Sequence, residues 1–357
     1  MTNRENIKNL MNHLQAESNR DIHFDEEAIL AAYEEKDTNH QSLSIKILSI
    51  FGGLMACLTF LGFIFMVDII NSPISAGILG VICIAGSCFV SKVSGKTIID
   101  TLSVSFFITG FILIGLALFE EGDTIYPVLI ALALCTLLLV QNYILSFISI
   151  LIINGSTFAF AHNNDNFNLI SAILIVQTVF ITFLFLQEAK IITKNKVLSK
   201  LYDPVRTGMV FSFIFTLAFL GFESSFHLAE YYYDRTSSVV IALAILYVVS
   251  VIFKALRVTN ITYRVLIYGL IILFLLPTLL LTPTISGAIL IILLSFSVNY
   301  RTVFVLAVIA LISFIGRFYY DLQFTLLVKS ILLFASGIIF LAIYFFTRKK
   351  LTTHEKI

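Results

Sequence analysis

The stretch IYPVLIALALCTLLLVQNYILSFISILIINGSTFAFA (residues 125–161) is apolar almost throughout, and the pair Gln141-Asn142 is its one clear break. Crossing the hydrocarbon of a bilayer takes about 20 apolar residues in a helix, so this run is far too long for one span and fits two. That choice decides the fold. One span here would invert every later connection, and two would leave the basic residues sorted to one side.

The chain around it is of the same kind. Hydrophobic residues make up 59% of 357 and charged residues 13%, and the mean hydropathy is +0.98. Soluble domains carry about a quarter charged residues, so this is an all-α, polytopic transmembrane helical bundle. Twelve spans are expected: 45–66, 73–90, 99–119, 125–141, 143–161, 168–186, 207–223, 237–254, 263–281, 284–298, 302–316 and 322–346. The second uncertain division lies near Pro283. Residues 1–42 are polar, and the first apolar run is long enough to remain as a span, so no signal peptide is expected.

The positive-inside rule tests the count. With both termini cytoplasmic, the inner segments hold 20 of the 23 Lys and Arg; Arg235, Arg317 and Lys329 are the exceptions. Merging either doubtful pair of spans destroys that bias. The outer connections are acidic and carry Asp68, Glu120, Glu121, Asp123, Asp165, Glu223, Glu230, Asp234 and Asp321. Two of them share a pattern, YYYDR (231–235) and FYYDL (318–322). Tyr232, Tyr233, Asp234, Tyr319, Tyr320 and Asp321 are thus candidates either for interfacial anchors or for a rim that meets a partner.

Outside the bundle, residues 1–42 form an acidic cytoplasmic tail with nine acidic and four basic side chains. In it Ile7, Leu10, Met11 and Leu14 follow the spacing of an amphipathic helix. The transmembrane domain covers 43–347, and 348–357 is a basic cytoplasmic tail. The longest internal loop, 187–206, divides the spans six and six. CLTFLGF (57–63) and TLAFLGF (216–222) echo one another across that division, a weak sign of duplication in a chain so rich in Phe and Leu. Gly77, Gly80 and Gly86 with Ala76 and Ala85 make the second span a closely packed helix.

No enzyme motif is legible. There is no H-E-x-x-H, no paired intramembrane aspartates, no aspartate-rich diphosphate site and no phosphate-cradling loop. No cofactor, metal or nucleic acid is expected. The four cysteines fall in apolar runs and read as small buried hydrophobes. No Asp or Glu lies mid-span, which weakens ion-coupled transport. Lys329 is the exception among deep charges. It stands eight residues past Asp321, about 12 Å down its helix, where a lone charge costs roughly 2.5–3.5 kcal/mol on insertion scales. It either snorkels outward or faces a watery vestibule that could receive an anionic head group.

SLSIKILSIFGGLMACLTFLGFIF (42–65) and GRFYYDLQFTLLVKSILLFASGIIFLAIYF (316–345) resemble an uncharacterised bacterial membrane family, domain of unknown function four-four-zero-one. Tyr319, Tyr320, Asp321, Leu327, Lys329, Ser330 and Gly337 carry the match most specifically. The family's first span tends to hold tryptophans, and this chain has none. The resemblance implies a multi-pass protein of the bacterial cytoplasmic (inner) membrane. It also implies partners: another polytopic membrane protein and a small extracytoplasmic protein with a Gly-Asp-Tyr motif. It implies no reaction. Two functions follow as expectations. One is a non-catalytic component of a membrane assembly that docks a partner at its acidic, tyrosine-rich outer face. The other is a permease or lipid-handling protein with Lys329 in an outward-facing vestibule.

Overall fold

The computed structural model describes residues 43–66, 72–93, 97–140, 142–226, 235–256 and 283–321, with scattered positions in 261–275 and 327–341. Every described regular element is helical. The chain divides into two compact units, Met1–Glu120 and Glu121–Ile357.

The first unit holds α1 (Leu43–Met66), α2 (Pro73–Val93) and α3 (Thr97–Ala117), with α3 packed against both others. Pro73 opens α2, a position where its missing N–H costs nothing. Gly80 and Gly110 let α2 and α3 touch backbone to backbone. A Cβ on Gly80 would lie 2.9 Å from the Gly110 carbonyl oxygen, and one on Gly110 would lie 2.8 Å from that of Gly80. Near the other end of the pair the Ser87 hydroxyl donates to the Ser103 carbonyl at 2.7 Å, and the Ser103 hydroxyl returns the bond to Ser87 at 3.0 Å. Ser105 donates to the Gly53 carbonyl of α1 at 2.9 Å. Apolar side chains gain little by leaving lipid for a helix interface, so close approach and interhelical hydrogen bonds hold such a unit. The packed face of α2 is narrower than its sequence suggests: Ala76 is buried, but no atom waits within 4 Å of a Cβ on Gly86, and Ile78, Ile82 and Phe89 are exposed.

The second unit begins in a 3-10 turn at Phe119–Thr124, where Gly122 takes φ 63°. It contains α4 (Ile125–Leu139), α5 (Tyr143–Asn163), α6 (Phe167–Leu186), the short α7 (Glu188–Lys194) and α8 (Lys196–Phe226). Then follow α9 (Arg235–Ala255), α10 (Pro283–Ser297) and α11 (Arg301–Asp321). The break in the opening stretch is real. α4 ends at Leu139 with Val140 extended, and Asn142 caps α5 by accepting from the Ile144 N–H at 2.9 Å, the usual service of an N-cap asparagine. At the other uncertain division α10 starts at Pro283, and the expected span before it lies largely outside the described residues.

α8 sits at the centre, against α5, α6, α7, α10 and α11. Phe213, Leu217, Ile241, Leu290 and Ile291 are fully buried around it. Several buried hydroxyls bond back into their own helices, as Thr178 does to the Leu174 carbonyl at 2.7 Å, which satisfies the polar group without a partner on another helix. Many large apolar side chains point the other way. Leu138, Leu139, Val179 and Leu243 are exposed, the pattern of helices whose solvent is lipid.

Among the described residues, seven helices are long and apolar enough to cross a membrane: 73–91, 119–139, 143–163, 168–186, 197–221, 236–255 and 301–320. Three shorter apolar helices occur at 51–64, 101–117 and 283–297. The expected spans 263–281 and 322–346 lie largely outside the described residues, as do the tails 1–42 and 348–357. One expectation is corrected. The segment 187–206 is helical, α7 followed by the first third of α8, and Pro204 stands inside that helix. Leu198, Leu201, Tyr202 and Val205 fall at i, i+3, i+4 and i+7, so the segment has an apolar face to pack despite its charges. At 31 residues and ~1.5 Å per residue, α8 is longer than the hydrocarbon is thick.

Candidate functional site

Two features of the second unit are built from its polar residues, and they share one end of the bundle. The first centres on Arg206, which sequence reasoning placed in a cytoplasmic loop and the fold buries at 4% exposure. Its Nη1 donates to Glu188 Oε1 at 3.2 Å and its Nη2 to Asp203 Oδ1 at 2.7 Å. The guanidinium lies 4.1 Å from the ring centroid of Tyr300, 4.8 Å from that of Tyr202 and 5.6 Å from that of Phe185. A planar, weakly hydrated cation is the group best suited to such a cage. Tyr202 is fixed in turn, its hydroxyl donating to the Leu184 carbonyl at 3.0 Å, one of the carbonyls that the end of α6 leaves without an intrahelical partner. Tyr143, at the start of α5, reaches Thr207 at 3.3 Å. The connections 140–142, 187–195 and 298–300 therefore meet at one end of the unit. At the other end Asn163 donates to Asp123 at 3.2 Å, which joins the connections after the 3-10 turn and after α5.

The second feature is a cavity of about 1200 Å³ lined by α4, α5, α6, α7 and α8. Sites for small ligands occupy roughly 300–1,000 Å³, so this one is large. Its wall along α6 runs from Leu169 to Leu184, ~22 Å at the helical rise, most of the depth of a hydrocarbon layer. Val176, Phe180 and Phe183 line it while remaining exposed. At i, i+4 and i+7 they form a stripe along one side of α6, so the cavity opens laterally, toward lipid.

Polar groups reach it at two levels. Midway, Gln177 Nε2 donates to Asn154 Oδ1 at 3.0 Å, and Asn154 Nδ2 donates to the Ile150 carbonyl at 2.9 Å and to Met209 Sδ at 3.4 Å. Gln177 is 2% exposed and its Oε1 has no partner, a desolvated acceptor of a kind that costs about 1–3 kcal/mol. At the end nearest Arg206, Lys190 and Lys194 line the mouth. They stand one turn apart on α7, and neither makes an ion pair among the described residues.

Sequence reasoning missed both features. No sequence pattern pairs Asn154 with Gln177, which stand 23 residues apart. The available signal for the cage was Tyr202-Asp203, four and three residues before Arg206, which a helix stacks on one face.

The residues expected to act are only partly visible. Tyr319 and Tyr320 end α11 with their rings edge to face at 6.2 Å, and Tyr320 is 80% exposed. Asp321 is the last residue of α11, and Ser330 is exposed. Lys329, Tyr232, Tyr233 and Asp234 lie outside the described residues. Cys57 and Cys83 are buried as expected, but Cys135 is exposed. Among the described residues, no three of His, Cys, Asp and Glu come together in the manner of a metal site.

No curated protein and no solved structure matches the chain. One family model does, over residues 42–350. With almost the whole helical region covered, this integral membrane protein belongs to the family described as a domain of unknown function, DUF4401.

Proposed function

We propose that the chain is a non-catalytic, lipid-handling protein of the bacterial cytoplasmic membrane, with twelve spans and both termini cytoplasmic. The observation that carries the reading is the laterally open cavity of the second unit. A tall apolar cavity with exposed side chains along one wall suits a lipid-like chain that enters from the bilayer. It poorly suits a soluble substrate. The lysine-bearing end is taken as cytoplasmic because Lys190, Lys194, Lys200 and Arg301 gather there while Glu121, Asp123 and Asp165 occupy the other.

Lipids with photoreactive chains test it. Activated in membranes that contain the protein, they should mark Ile153 and Asn154 on the inner wall of α5, and Ala172→Phe should remove those adducts by filling the cavity from α6. Adducts confined to bilayer-facing positions such as Leu138 would contradict the reading.

A second reading keeps the outer rim as a docking surface, favoured by the exposure of Tyr320 at the end of α11. Photo-cross-linking from position 320 in living cells should then capture one dominant protein. Of the partners the family resemblance suggests, the small extracytoplasmic protein is the one this surface would meet. Lipid adducts alone at 320 would make the tyrosines anchors.

A further inference from the structure

We infer that the cavity's occupant is an anionic lipid, its phosphate held between Lys190 and Lys194 and its chains laid along α6. This rests on the lipid-handling reading and adds the ligand class to it.

The cavity is amphipathic from end to end. Its long wall from Leu169 to Leu184 is apolar apart from Gln177, which pairs with Asn154 of α5, and its mouth carries two ammonium groups. Four residues apart on α7, Lys190 and Lys194 present both charges on one side of a single turn. The nearest acids do not neutralise them. Glu188, in the same short helix, and Asp203 both bind Arg206, so those three groups together set only one negative charge against the two lysines. The mouth is therefore net positive, and its two lysines are free to engage a ligand.

A bilayer offers few partners that match an apolar channel ending in two cations at the surface. A phosphate-bearing lipid does so with its head at the lysines and its tail inward, the arrangement in which basic pockets between helices hold acidic head groups. A zwitterionic head group brings its own cation to the same place and gains less. Arg206 acts as a positioning residue. Seven residues are too few for an isolated helix to persist, and the Glu188–Arg206 bond ties the first turn of α7 to α8.

The chain contains no tryptophan, so Ile153→Trp places a single fluorophore on the cavity wall of the full-length protein. In nanodiscs of phosphatidylcholine, brominated-chain phosphatidylglycerol should quench it at roughly thirtyfold lower mole fraction than brominated phosphatidylcholine, given about 1 kcal/mol for each of the two lysines near an acidic surface. Lys190→Gln with Lys194→Gln should abolish that preference while quenching by brominated phosphatidylcholine stays the same, a sign that the fold is intact. Equal quenching by both lipids in the unaltered mouth, or a preference that survives the double change, overturns the anionic assignment and leaves lipid entry standing. Quenching by neither lipid overturns the lipid-handling reading as well.

Discussion

Arg206 is the most deeply placed charge the structure describes in the second unit, and its energetics are asymmetric. Its side chain is 5% exposed, against 29% for Glu188 and 52% for Asp203. Removing the cation leaves two acids that can turn toward water. Neutralising both acids leaves a buried cation with aromatic faces and amide oxygens but no countercharge. Arg206→Met should therefore cost about 1–2 kcal/mol, and Glu188→Gln with Asp203→Asn about 3 kcal/mol or more. Thermal unfolding in detergent would order the two, and the reverse order would mean that the cage is held by packing alone. The Asn154–Gln177 pair makes a parallel case. Gln177→Leu should destabilise by about 1 kcal/mol, while the double change with Asn154→Leu should cost less than the sum of the single changes, because removing both partners strands neither. Additive effects in a double-mutant cycle would contradict the paired geometry.

Among the elements, the α2–α3 pair depends on absent side chains. Gly110→Ala would drive a Cβ to 2.6 Å from Ile84 and 2.8 Å from the Gly80 carbonyl, so it should lower the unfolding temperature and separate the pair. Gly86→Ala meets nothing and should stabilise slightly through helix propensity. Equal effects at the two positions would refute the backbone contact. Helix identity was largely legible because hydrophobic length is a direct physical requirement of a span. Pro73, Asn142 and Pro283 mark boundaries by their own backbone chemistry. The first third of α8 was not legible while its charges counted only toward sidedness, and its apolar spacing at 198, 201, 202 and 205 was the overlooked signal. The cavity could not be read at all. It is a packing defect between α4, α5, α6, α7 and α8, and no local pattern records where helices fail to meet.

For the whole molecule, sidedness and lateral access must agree. In a cysteine-free background, Lys200→Cys should resist an impermeant thiol reagent applied to intact cells, and Asn164→Cys, in the connection after α5, should react. The opposite pattern would invert the topology and move the lysine mouth to the outer surface. The central claim is that the second unit carries a lipid within its own envelope rather than merely a belt of annular lipid. Native mass spectrometry of the purified chain tests this most directly. Through stepwise delipidation the unaltered protein should keep one anionic lipid after its annular lipid has gone, and Ala172→Phe should keep none. Equal retention by the two, or a lipid-free unaltered protein at the first step, would contradict the account.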